Sequence, residues 1–219
     1  MYGKTEMKRW LGEWLTIFVS IMAAFSLDRC NEQRINRNQE RLYIESMAKD
    51  LQKDSLQLET NVLECNDQLS AFRRTFVLMS SDRPSMDSIL IYSLNALANV
   101  SQFIPQTTTY ESVKGTGGLS LVSDFSLRNG IVEVYHFYEQ VRLVDKVQLD
   151  LLQTQVLPWL NHDFDLSVPK PLSPTFMKEP YFRNLILLAR SGVMEQKKIY
   201  EQALKKCSDL KQRLESSLD

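Results

Sequence analysis

Residues 44–79 read IESMAKDLQKDSLQLETNVLECNDQLSAFRRTFVLM. Apolar side chains fall at Ile44, Met47, Leu51, Leu58, Val62, Cys65, Leu69, Phe72, Phe76 and Met79. The steps are threes, fours and one seven, which keeps them on one side of an α-helix as a heptad-like seam. Neither glycine nor proline occurs from Asp28 to Ser80, so no residue in that span forces the helix to stop. The chain has 7 glycines and 7 prolines in 219 residues, and the expected fold class is all-α.

Downstream, Ser81 to Pro84 break the pattern and Ser85 is placed to cap a short helix carrying Ile89, Leu90, Leu94 and Leu97. Pro105 and Thr107 to Thr109 open a connector, with a helical turn expected over Tyr110 to Lys114. Gly115, Thr116, Gly117 and Gly118 follow. A phosphate loop would need GxxxxGK followed by Ser or Thr, so these glycines read as a turn.

Asp124 or Ser123 caps the next helix, whose face is expected to be Leu127, Ile131, Val134, Tyr138, Val141, Val144, Val147 and Leu151, ending at Pro158. Asn161 to Thr175, with prolines at 169, 171 and 174, is expected to run irregularly over the surface. Pro180 suits the first turn of a last helix with a seam at Leu185, Ala189, Val193, Tyr200, Ala203, Cys207, Leu210, Leu214 and Leu218. Three seams of similar length imply an antiparallel bundle of long helices.

Upstream of the seam, a basic lead (Lys4, Lys8, Arg9) precedes Trp10 to Leu27, which holds one charge, Glu13, and ends at Asp28 and Arg29. Eighteen residues at 1.5 Å span about 27 Å, close to the bilayer core of about 30 Å, and Trp10 and Trp14 sit at an expected interfacial belt. A cleaved signal peptide would need small residues at a cleavage site, which this stretch lacks; a buried core helix is the remaining alternative. The expectation is a single N-terminal transmembrane helix continuing into the bundle: residues 1–28 a membrane anchor, 29–43 a polar helical stalk, 44–219 a helical bundle domain. Gly12, Thr16, Ser20 and Ala24 recur every four residues as a small-residue face for helix association in the membrane. Glu13 lies beside that face as an intramembrane polar site or an interfacial acid.

Signs of chemistry are few. With 26 basic and 27 acidic residues in mixed order, nothing points to nucleic acid. Cys30, Cys65 and Cys207 are odd in number and far apart, which excludes a fully paired disulfide framework and a CxxC motif. His136 lies among apolar helix residues, and His162 with Asp163 and Asp165 forms the one local cluster of metal-ligand types, without the glycine or terminal glutamate of a calcium loop. No GxSxG or HExxH occurs. No catalytic residues, metal or cofactor are expected.

The order of Glu13, Tyr43, Asp50-Leu51, Thr109-Tyr110-Glu111, Gly118-Leu119, Leu121-Val122, Leu127-Arg128, Tyr135, Tyr138 and Phe182-Arg183-Asn184-Leu185 resembles a bacterial family of uncharacterised single-pass membrane proteins. The resemblance implies a helical domain on an N-terminal membrane helix and names no activity; Asp28, Arg29 and Cys30 stand where such chains carry Asn and Trp. The expected function is a non-catalytic, membrane-anchored scaffold or accessory subunit in the bacterial inner membrane, partnered by the membrane and by itself or other membrane subunits. Arg29, Arg34, Arg37 and Arg41 against the three basic residues of the lead lean toward a cytoplasmic domain. The alternative is a homo-oligomeric pore or membrane-disrupting effector, with Glu13, Thr16 and Ser20 facing its opening.

Overall fold

In a computed structural model of the chain, residues 3–82, 85–165, 170–173 and 175–218 are described; within the first 27, side chains are described at 14, 16, 18–23, 25 and 26. Pro84, Pro169 and Pro174 lie outside the described residues. The elements are α1 (Gly3–Met79), α2 (Met86–Ala98), α3 (Thr108–Gly115), a 3-10 turn (Gly118–Leu121), α4 (Phe125–Leu151), a π-helical turn (Leu152–Val156) and α5 (Leu157–Asp163). Then come β1 (Phe164–Asp165), β2 (Lys170–Pro171), a 3-10 turn (Phe176–Lys178) and α6 (Pro180–Ser216). The protein is all-α apart from the two-residue antiparallel ladder of β1 with β2.

The 77-residue α1 is the spine. Ile44, Leu51, Leu58, Cys65 and Phe72, spaced by sevens, are each at most 4% exposed. A repeat of seven held against its neighbours wraps the contact left-handedly around the helix. A second row with the same spacing is also buried, and past Met47 it is polar: Asp54, Asn61, Gln68 and Thr75.

Between α1 and α4 lies α6, antiparallel to both. The Cys207 thiol donates to the Leu51 carbonyl (3.2 Å), the Lys206 ammonium meets Glu133 (2.5 Å), and Arg213 donates to Ser126 (3.0 Å). It follows that α1 and α4 point the same way, with α6 running against both, while the short α2 runs back along α1 (Gln68 meets Ala96, Arg74 meets Tyr92). The connector from 99 to 124 returns the chain down the length of α1 and makes this order possible.

Several expected boundaries hold for local reasons. The Ser85 hydroxyl accepts from Ser88 N (3.4 Å) at the start of α2, Asp124 accepts from Leu127 N (3.0 Å) at the start of α4, and Pro180 lies in the first turn of α6. Gly117 has φ of 72°, the left-handed region that penalises a side chain. Gly117→Ala is expected to lower stability by about 1–2 kcal/mol, measured by urea unfolding.

Three expectations change. Pro158 does not end its helix: the π turn just before it widens the backbone where the proline lacks an N–H and its ring would crowd a carbonyl, and α5 runs on to Asp163. On α4 the buried face continues through Asp145 and Gln148, leaving Val147 62% exposed. The segment after Asn161 is not wholly superficial, because Phe164 is buried with Trp159, Phe176 and Phe182, ring centroids 4.8–6.3 Å apart.

Among the described residues no helix is long and apolar enough to cross a membrane, so the expected transmembrane helix is not found there. Gly12, Glu13 and Ala24 lie in α1, but the side chains of Glu13 and Ala24 lie outside the described residues.

Candidate functional site

Residues 99–107 join α2 to α3 without regular structure, yet they thread between helices. Backbone amides and carbonyls there need partners that a helix or sheet would otherwise supply. Side chains of α1, α4 and α6 supply them in descending order along α1. Gln68 donates to the carbonyls of Asn99 and, at 3.3 Å, Ala96. Ser101 donates its hydroxyl to Glu64 (2.6 Å). Phe103 N donates to Asp145 (2.8 Å) and Gln106 N to Asp54 (2.8 Å). The Thr109 hydroxyl donates to Asp50 (2.5 Å), and Ser123 donates its N–H and hydroxyl to Glu40 (2.7 and 2.9 Å).

Two buried carboxylates are the centres of this clasp. Asp145, 5% exposed, takes Phe103 N on one oxygen and Gln196 (2.8 Å) and the Tyr200 hydroxyl (2.6 Å) on the other. Gln196 and Tyr200 also donate to the Ser101 carbonyl (2.9 and 3.1 Å). Burial raises the Asp145 pKa, and the bonds from Phe103, Tyr200 and Gln196 pull it back down. Asp54, 0% exposed, has no hydrogen bond on its second oxygen. Burial pushes its pKa up to about 6; the Gln106 N–H and the Tyr138 hydroxyl oppose this, the Asp50 charge adds to it, and Lys53 lowers it. The Tyr138 hydroxyl itself donates to Cys207 Sγ (3.3 Å).

Asn61 and Gln68 also carry one unpartnered buried atom each. A cavity of about 10 Å³ beside Gln68, Gln148 and Gln196 is the size of one water molecule.

Several residues separated in the chain meet at the lower half of the clasp. Tyr110 stacks on Tyr135 (centroids 4.1 Å apart, planes 6°), which meets Tyr138 edge-on (5.5 Å). A Cβ at Gly118 would lie 2.8 Å from the Tyr43 ring, so glycine there is what lets the turn press against α1. Asp50 with Thr109, Tyr43 with Gly118, and Tyr110 with Tyr135 are pairings among the residues that carry the resemblance to uncharacterised membrane proteins.

Chemically, this arrangement grips a backbone and can take up protons. Its acids and phenols are enclosed, burial pushes the Cys65 thiol up to about 12 and raises Cys207 as well, and a protonated thiol is a poor nucleophile. Among the described residues no group of three His, Cys, Asp or Glu is placed to hold a metal ion. His162 meets Asp163 (3.1 Å) on the exposed end of α5. Of the expected association face, Thr16 and Ser20 are exposed neighbours on α1, the Ser20 hydroxyl donating to the Thr16 carbonyl (2.8 Å).

The clasp residues Asp54, Asp145 and Gln196 were absent from the seams read in the sequence. On α1 and α6 their signal was the places where those seams skip, from Leu51 to Leu58 and from Val193 to Tyr200; on α4 the valines at 144 and 147 hid it.

A family of unknown function, DUF6090, matches residues 13–155, about two thirds of the chain. The match takes in α1 from residue 13, the connector and all of α4, but not Phe182 to Leu185, which also carry the resemblance. No curated protein and no solved structure matches the chain.

Proposed function

The chain belongs to this family, whose description names no activity, and we propose that it is a non-catalytic, membrane-tethered scaffold or accessory subunit. In this reading the first part of α1 anchors the chain in the bacterial inner membrane, and the bundle built on the rest of the same helix presents partner surfaces on the cytoplasmic side.

The observation that carries the reading is the exposure of Trp14, Phe18, Val19, Ile21, Met22 and Phe25, between 49% and 64%, on the first turns of α1. Covering six such side chains is worth on the order of 5–10 kcal/mol, and a bilayer covers a helix on all sides. The hydroxyls of Ser20 and Ser26 are satisfied within the helix, donating to the carbonyls of Thr16 (2.8 Å) and Met22 (2.7 Å), as a hydrocarbon surrounding requires. Core burial along α1 begins at Ile44, 4% exposed. The bundle first touches α1 at Glu40, so the polar turns before it set the bundle about 17 Å from the end of the apolar stretch.

The thiols give a direct test of placement. Cys30 is exposed just beyond the apolar turns, whereas Cys65 and Cys207 are buried. A membrane-impermeant maleimide is expected to label one thiol of three in the folded protein, with labelling abolished by Cys30→Ser. In intact cells Cys30 is expected to be protected until the membrane is opened. Labelling of intact cells would place the bundle outside. The accessory role is tested by removing residues 1–28: membrane partners that copurify with the full chain are expected to be lost, and an unchanged partner set and location would refute the reading.

A further inference from the structure

A groove of about 650 Å³ runs between α1 and α2 on the side of the bundle away from the apolar turns, within the range of sites that hold small ligands. Its charges are arranged by sign. At one end are the carboxylates of Glu64 and Asp67, and at the other is the guanidinium of Arg74. Asp67 and Arg74 are seven residues apart on one face of α1, about 10 Å along its axis. Neither makes an ion pair among the described residues.

Both ends are held in place. Arg74 lies over the Tyr92 ring (5.2 Å to the centroid) and donates to the Tyr92 hydroxyl (3.2 Å), which fixes the cation without neutralising it. Glu64 is held by the Ser101 hydroxyl (2.6 Å). Between them lies Gln68, 5% exposed, its amide tied to the carbonyls that end α2. This polar groove therefore presents a negative end and a positive end, preorganised and uncompensated, to whatever enters it.

We propose that the groove between α1 and α2 binds a short extended peptide through its free termini, the terminal ammonium at Glu64 and Asp67 and the terminal carboxylate at Arg74. Three extended residues span about 10 Å, the same distance that separates Asp67 from Arg74 along the helix. The planar guanidinium suits a carboxylate as a bidentate partner. This site goes beyond the tethering role and does not depend on it, because the groove lies wholly within the bundle.

Tri-alanine titrated into the full-length protein in detergent, followed by calorimetry, tests the proposal. Saturable binding at one site per chain is expected. Acetylating the peptide's amine or amidating its carboxylate should weaken it at least about tenfold. The effect of the acetyl cap should shrink in Asp67→Ala, where Glu64 alone remains, and that of the amide cap should vanish in Arg74→Ala. Both side chains are exposed, and an unchanged circular dichroism spectrum checks that the variants fold. No saturation up to about 10 mM, above the range in which a weak specific site registers, would overturn the proposal. So would equal binding of capped and free peptides, or binding indifferent to both substitutions.

Discussion

Asp145→Ala is expected to destabilise the bundle by about 2–4 kcal/mol, seen as a lower urea midpoint at unchanged slope. The carboxylate takes three donors, Phe103 N, Gln196 and the Tyr200 hydroxyl. Gln196 and Tyr200 keep the Ser101 carbonyl after truncation, but the buried Phe103 N–H keeps nothing. That orphaned amide, and the freedom it gives residues 99–107, is the main loss. The cost stays below the roughly 3–5 kcal/mol of breaking a buried ion pair because burial already disfavours the Asp145 charge. Hydrogen exchange separates this from a general loosening: amides of the connector should exchange faster than those of α6 near Leu214. Uniform acceleration would mean that Asp145 supports the whole core and does not hold the connector in particular.

Asp54→Asn should act in the opposite direction at high pH. With its pKa pushed up to about 6, the folded state holds the Asp54 proton over a range where the unfolded chain, near 3.8, has released it. The native state then binds more protons, so stability falls as pH rises. The contribution is fully present below about pH 4, is lost as pH rises through about 6, and is flat above. The loss amounts to at most about 3 kcal/mol. Asparagine keeps an acceptor for Gln106 N and carries no charge, so the variant is expected to be the more stable protein at pH 8, with a shallower fall between pH 4 and 7. Asp145 is raised in the same direction, which keeps the variant's profile from becoming flat. A wild-type stability that rises with pH over this range would contradict the assignment.

Much of the fold was legible because it rests on local chemistry. The seam of α1, the Ser85 and Asp124 caps and Pro180 opening α6 follow from spacing and from side chains that satisfy their own helix ends. The clasp was not legible, because apolar periodicity counts only the residues that fit it. Asp54 and Gln68 have the same seven-residue spacing as Leu51, Leu58 and Cys65, but their burial depends on a connector that comes from 31 to 52 residues later in the chain to use them. The same blindness put Val147 inside in place of Asp145, since hydropathy favoured valine and what favours the acid, the Phe103 amide, Gln196 and the Tyr200 hydroxyl, lies 42 to 55 residues away. Pro158 misled because the rule that proline ends a helix assumes a regular α-turn before it, and the π turn at Leu152–Val156 removes that assumption.

The clasp also shows what the family match covers. Residues 13–155 include α1 from residue 13 onward, the connector and Asp145, while Gln196, Tyr200 and Cys207 of α6 lie beyond it. The matched segment thus holds the carboxylates that take the Phe103 and Gln106 amides, and α6 completes the packing around them.

Alkaline carbonate extraction of membranes directly tests the proposal that one helix serves as both tether and spine. The full chain is expected to stay in the membrane pellet, while a chain beginning at Arg29 appears in the supernatant with its helical circular dichroism intact. Release of the full chain by carbonate, or retention of the shortened one in the pellet, would contradict it.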